Sequence, residues 1–267
     1  MKKLRNNCSG QVLILSAMAI AFIIISTIVY VYTTSQPLPS ADDSYEAAAF
    51  IRNVKLGSRN MMIGCLANIS HGGSPSVLEA NLERWRNFVE ELYYLGGCDF
   101  NFTLCEDGPY SSGVWISWGT SGSGVTSAKS DFLMNLTDRN VEVTVDYSIN
   151  ITTSISVSAV SKWQSGYQEI NVTIHVENEG EPALAKNITV YYQTKFGDWR
   201  DAGLLEDYLL EDFGNGTYMG HFTVFAPRVD NSGIMVKCYD RREIYVQAST
   251  NACLLYTSPS PRDLSTS

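Results

Sequence analysis

Histidine is nearly absent from the chain: there are three in 267 residues. Charged residues are sparse at 18%, below the roughly 25% of an average soluble protein. Basic residues are the minority, and the net charge is -9. Nucleic-acid binders neutralise phosphates with a basic stripe, so a nucleic-acid partner is excluded. A metalloprotease helix, a phosphate loop with its Lys and a nucleophile elbow are all missing. The sequence therefore names no reaction, and neither a cofactor nor a metal site is expected.

Two fragments look like chemistry and fall short of it. His71-Gly72-Gly73 has the composition of an oxyanion-hole piece but lacks a Gly-x-Ser-x-Gly partner, so it reads as a loop after a helix. The Gly/Ser stretch over 119–124 lacks a strand–turn–helix context and reads as a hairpin loop. His175 and His221 could meet across a sheet, yet two His without a third ligand make no metal site. Asp201, Glu206, Asp207, Glu211 and Asp212 match no regular calcium loop and read as a solvated acidic surface. An anchored hydrolase would need a pocket with converging acid, base or nucleophile groups, for which the sequence offers no signature.

Charge is also missing between Arg5 and Asp42. Residues 12–32 carry only Ser16, Ser26 and Thr27 as polar interruptions. At 1.5 Å per residue such a run spans about 31 Å, the thickness of a bilayer core. It exceeds the 7–15 apolar residues of a secretory signal peptide. The expectation is a transmembrane helix over 11–33, a basic cytoplasmic leader over 1–10 and a linker over 34–44. By the positive-inside rule the bulk of the chain lies outside the cell. Taking the leader's three basic residues from -9 leaves that part at -12.

Gly10-Gln11 sits between the basic tip and the apolar run. This order resembles the class III leader of archaeal type IV pilin-like proteins. The resemblance covers residues 1–33. It implies cleavage by a prepilin peptidase between Gly10 and Gln11, and an apolar helix that assembles with pilin-like subunits or surface-layer proteins. Ser9 and the pair Pro37 and Pro39 depart from that pattern. The competing expectation is a plain single-pass surface glycoprotein with a ligand-binding or sensory head.

Glycosylation sequons are abundant. Composition alone predicts about three, and eight are present, seven of them beyond the apolar run. These are Asn68, Asn101, Asn135, Asn150, Asn171, Asn187 and Asn215. Around Asn101, Asn135, Asn150, Asn171 and Asn187 the apolar residues alternate so that Asn takes the polar phase. An N-glycosylated extracellular chain follows, with the membrane as a partner at its N-terminus.

Four cysteines, Cys65, Cys98, Cys105 and Cys238, fall in the exported part and permit two disulfides in three connectivities. Cys98–Cys105 closes the shortest loop, leaving Cys65–Cys238. Cys253 belongs to a different story. Residues 253–263 read codon for codon as a translated transposase-type sequencing adapter, so 252–267 are expected to be foreign to the natural chain.

The remaining pattern predicts a helical unit over 45–97. Its second helix starts near Ser74-Pro75 and carries Leu78, Leu82, Trp85, Phe88, Val89 and Leu92 as one apolar stripe. Strands follow over 98–162, with a break at Thr152-Thr153, and then a β-sandwich over 163–251. The runs around Asn171, Asn187 and Gly214-Asn215-Gly216 are similar to immunoglobulin-like adhesion-related domains of prokaryotic surface proteins. The expected fold class is thus a transmembrane helix, then α+β with a small helical unit and an antiparallel sheet, then an Ig-like sandwich. The expected role is assembly or adhesion at the cell surface, without catalysis.

Overall fold

A computed structural model describes residues 24–27, 41–138, 141–164, 166–225 and 232–254. The chain divides into two compact units, Met1–Arg52 and Asn53–Ser267. Of the first, residues 24–27 are helical, as is the part of α1 (Ala41–Ser70) that falls within it. The sheet and both of its cores belong to the second.

In that unit the end of α1 is followed by α2 (Ser76–Leu92). The stripe read from the sequence drives the packing: Leu78, Leu82 and Val89 are fully buried, while Phe88 and Leu92 stay half exposed. Trp85 crosses α1 where Gly57 leaves room for its ring, and its indole N–H donates to the buried Ser58 Oγ at 2.9 Å. The Ser74 hydroxyl accepts from the Ser76 N–H at 3.4 Å, a weak version of the expected cap.

Twelve strands follow: β1 (Gly97–Leu104), β2 (Val114–Trp118), β3 (Ser123–Asp138), β4 (Val141–Gln164), β5 (Tyr167–Asn178), β6 (Glu181–Pro182), β7 (Ala185–Gln193), β8 (Trp199–Asp201), β9 (Leu209–Asp212), β10 (Thr217–Phe225), β11 (Ser232–Asp240) and β12 (Tyr245–Leu254). They form one sheet ordered β8-β7-β11-β12-β4-β5-β10-β9, with β3 beside the first part of β4, β1 and β2 on the far edge of β3, and β6 beside β5. All pairings are antiparallel except β12 on β4, a short parallel contact at Cys253–Val160 and Leu254–Ser161. The sheet curls, and β12-β11-β7-β8 faces β4-β5-β10-β9. Ile170, Val172, Ile174, Phe222, Ile234, Val236 and Val246, all fully buried, fill the space between them.

The first part of β4, with β3 and β1, has a core of its own. One face presents Phe100, Phe132, Met134 and Leu136 inward. Phe132 stacks on Phe100 at 5.8 Å and on Tyr147 at 5.1 Å. The helices close this face: Ser58 meets the Tyr147 hydroxyl at 3.2 Å, Lys55 lies over the same ring, and Glu90 accepts from the Phe100 N–H.

These findings correct the expected fold class. The chain is mostly β, 54% strand against 25% helix, in a curled sheet rather than an α+β unit followed by a separate sandwich. The reason lies in β4, whose 24 residues run through Thr152 and Thr153 without a break. Ile149, Ile151, Thr153, Ile155 and Val157 keep a single inward phase, so Thr153 substitutes for an apolar residue in a buried row. The transmembrane helix, the signal-anchor and the single-pass membrane localisation are corrected as well. Among the described residues no helix is long and apolar enough to cross a membrane. The run 11–33 that carried those expectations lies outside the described residues except for 24–27, as do Gly10 and Gln11.

Candidate functional site

Three outward sheet surfaces collect the residues singled out from the sequence. The first is the face of β1-β3-β4 opposite the helices. Register places Asp99 beside Asn135 and Asn101 beside Leu133 on β1–β3, and Lys129 beside Asn150 on β3–β4. Paired residues share a face, so Asn101, Asn135 and Asn150 all stand on this surface. Asn101 and Asn150 are exposed and Asn135 is half-buried. The Asn150 carbonyl oxygen accepts from the hydroxyls of Ser127 and Thr152, each at 3.1 Å, which fixes its side chain. Thr152 is the third residue of the same sequon.

The second surface belongs to β4-β5-β10. Asn171 pairs with His221, and their side chains meet at 3.0 Å. Glu169 lies 3.9 Å from the same imidazole. His175 pairs instead with Thr217 and contacts its hydroxyl at 3.1 Å. The two imidazoles share a face but stand four register positions apart, so they do not meet. Among the described residues no group of three or more His, Cys, Asp or Glu side chains could hold a metal ion. In the acidic stretch, Asp201 accepts from the Gly203 N–H and Asp212 from the Gly214 N–H, both at 2.8 Å. Those two carboxylates serve as local turn caps.

The third surface is the outer face of β7-β11-β12. Asn187 pairs with Tyr239, and Tyr239 pairs with Tyr245. The Tyr239 and Tyr245 rings are 5.1 Å apart, and Trp118 meets Tyr245 edge-on at 4.9 Å. His71 also meets Tyr239, edge-on at 5.3 Å. One row beyond, Lys237 lies over the Tyr191 ring at 4.8 Å, and Gln247 accepts from the Tyr245 hydroxyl at 2.7 Å. Partial burial, then the neighbouring Tyr239 and Tyr191 hydroxyls, push the Tyr245 phenol up to about 12. The strip is anchored from below: the Trp118 indole donates to Thr126 Oγ1 at 3.1 Å, and that hydroxyl donates to the Tyr245 carbonyl at 2.8 Å. Aromatic side chains held this rigidly give contact area at little entropic cost.

Asn68 is exposed in the last turn of α1, and Asn215 is exposed in the turn between β9 and β10. His71-Gly72-Gly73 closes the end of α1, with the Gly72 N–H bonded to the Ile69 carbonyl at 2.9 Å, and forms a loop. Of the 119–124 stretch, 119–122 form the β2–β3 hairpin turn and Ser123 and Gly124 begin β3.

Among the described residues Cys65, Cys98, Cys105, Cys238 and Cys253 are free. Cys98 opens β1 and Cys105 follows its end, about 23 Å apart along an extended strand and far beyond disulfide reach. Cys65 faces α2, where Asn81 approaches its sulfur at 3.3 Å, and Cys238 is enclosed between the curled ends of the sheet. Burial raises the Cys65 thiol, and raises Cys98 to about 11 and Cys238 to about 12. Such thiols stay protonated and pack as small apolar groups.

Sequence reasoning missed one cluster entirely. Asp240 is fully buried and accepts from Arg242 Nε at 2.7 Å, the Arg242 N–H at 2.8 Å, the Ile244 N–H at 2.9 Å and Thr153 Oγ1 at 2.9 Å. Arg242 continues to Glu179 at 2.6 Å and to the Thr152 carbonyl at 3.1 Å. A readable signal existed, because Asp240 continues the inward phase of Ile234, Val236 and Cys238. A carboxylate on a buried phase demands a cation, and Arg242 stands two residues away. No protein-family model and no curated protein sequence matches the chain.

Proposed function

We propose that the chain is an N-glycosylated surface protein that works by contact, in assembly or adhesion, rather than by catalysis. One observation carries this reading: none of the seven sequon asparagines is buried, although five of them sit within strands or at their exposed positions beside core residues. Strands of a curled sheet bury about half of their positions, so unselected sequons would place some Asn in the core. Glycans need the outward phase, and the five strand sites have it, while Asn68 and Asn215 are exposed on a helix and a turn. The aromatic strip on β7-β11-β12 supplies a rigid contact surface beside them. The resemblance of residues 1–33 to a pilin-like leader adds the assembly element, with a mature chain that begins at Gln11.

Peptide mass spectrometry of native material tests this. Sugar on several of the seven sites, with an N-terminal peptide starting at Gln11, is the expected result. A start at Met1 or Lys2 would remove the pilin-like assembly route. A chain with no sugar at any site would remove the surface reading itself.

A further inference from the structure

The row Asn187–Tyr239–Tyr245–Trp118 is the most directed feature of the surface. Its first member is a sequon asparagine and the other three are aromatic. Asn187 stands directly opposite Tyr239 on the neighbouring strand, and Tyr239 directly opposite Tyr245 on the next. Strands lie about 4.8 Å apart, so the row advances by roughly that step from strand to strand. Trp118 extends it by a further ring contact at 4.9 Å. From Asn187 to Trp118 the track is about 15 Å long, the reach of some three pyranose rings. Sugar rings carry one apolar C–H face, and that face packs on aromatic rings for the same reason that other apolar surface leaves water. Gln247 and Lys237, one row aside, offer hydrogen-bonding partners to the hydroxyl edges.

We infer that the glycan attached at Asn187 lies down along Tyr239, Tyr245 and Trp118, so that this strip is covered by the chain's own sugar. The inference rests on the glycosylation proposed above and adds one occupant to one surface. Asn101 faces Leu133, and Asn150 accepts from the Tyr110 hydroxyl at 3.4 Å beside the single further ring of Trp115, a pair rather than a row. The Asn187 glycan is therefore the one with a row of three rings to lie on, and its contact stabilises the fold.

The test compares the full-length glycoprotein with its Asn187→Gln, Tyr239→Leu and Tyr239→Leu/Asn187→Gln variants. Glycopeptide mapping first establishes occupancy at each site. With sugar present at Asn187, its removal is expected to lower Tm by roughly 2–4 °C in the wild-type background and by less than half of that in the Tyr239→Leu background. Proton NMR of the intact glycoprotein gives a readout independent of stability, because sugar C–H resonances lying over the rings move upfield in wild type and return in Tyr239→Leu. Equal Tm losses in both backgrounds, with no upfield sugar resonances, would overturn the inference while leaving glycosylation intact. An unmodified Asn187 in a chain glycosylated elsewhere would overturn it too. Sugar absent from every site would instead fail the underlying reading.

Discussion

At the scale of single residues, the molecule turns on one buried charge. Asp240 is enclosed, and four donors converge on its two oxygens. Its partner Arg242 ties the β11–β12 turn to the Thr152 carbonyl on β4 and to Glu179 in the β5–β6 turn. Such a pair adds little over a well-packed apolar substitute, but breaking it strands the remaining charge. Asp240→Ala is expected to cost about 3–5 kcal/mol, read as a shift in the urea midpoint. The same change in an Arg242→Met background should cost much less, since no cation is then left unpaired. A loss under about 0.5 kcal/mol, the size of an ordinary surface change, would show that the clasp is dispensable. Titration of buried groups gives a second residue-scale expectation. Cys238 moves from 9.0 up to about 12, by burial first and the nearby Asp240 second. Tyr208 and Tyr245 move from 10.0 up to about 12, burial being the larger cause in each. Each raised group holds its proton more tightly when folded. Its contribution is complete below the unfolded value and is lost as pH climbs toward the folded one. Stability should thus hold to about pH 9 and fall from there toward pH 12. Between pH 9 and 10 the slope comes from thiols, so Cys238→Ala should flatten it. An unchanged slope in that variant would refute the assignment.

At the scale of elements, much was legible because alternation and burial coincide. The runs read around Asn171 and Asn187 fall in β5 and β7, and the strands expected over 98–162 include β1 to β4. Helical spacing placed the α2 stripe, and the Asn phases on β1, β3, β4, β5 and β7 follow from the period of 2. The break predicted at Thr152-Thr153 failed for a physical reason. A threonine on the inward phase reads as the end of a buried row unless its hydroxyl has a partner, and the partner of Thr153, Asp240, lies 87 residues away. Disulfide expectations failed similarly, since cysteine count says nothing about the strand between Cys98 and Cys105. The aromatic strip was invisible because its members come from β2, β11 and β12, and only the register brings them into line. One close approach decides how β2 and β3 join β12. A Cβ at Gly124 would lie 2.1 Å from the Gln247 carbonyl oxygen, a backbone atom that cannot yield. Gly124→Ala should therefore pry the β2–β3 hairpin from β12 and cost about 1–3 kcal/mol. Because Trp118 rides on that hairpin and touches Tyr245, the same variant should also change its fluorescence. Wild-type stability together with an unaltered Trp spectrum would mean that the hairpin is not held there.

At the scale of the whole unit Asn53–Ser267, the question is whether one core or two governs unfolding. The helix-covered core around Phe132 and the core between the curled ends around Val236 are joined by β4, which runs through both. Residues of β4 near Thr153 pair with β3 on one side and with β5 on the other, so the strand cannot leave either core without opening the other's ladder. The Asp240 clasp lies at this crossing, as does the contact of Arg59 on α1 with Glu179 at 3.8 Å. The ion pair with Arg59 is half exposed and adds little by itself. The shared strand and the enclosed Asp240 are what couple the halves. Unfolding should accordingly be a single transition despite a unit larger than the 150 residues at which two-state behaviour usually ends. Native-state hydrogen exchange against denaturant tests this directly. Amides of β1 and β3 should merge with those of β7 and β11 into one opening isotherm. Asp240→Ala should separate the two isotherms, the β7–β11 group opening first because the clasp sits at the end of β11. Two distinct isotherms in the wild-type chain would show that β4 carries two independent cores, and that the curl of the sheet is a hinge rather than a seam.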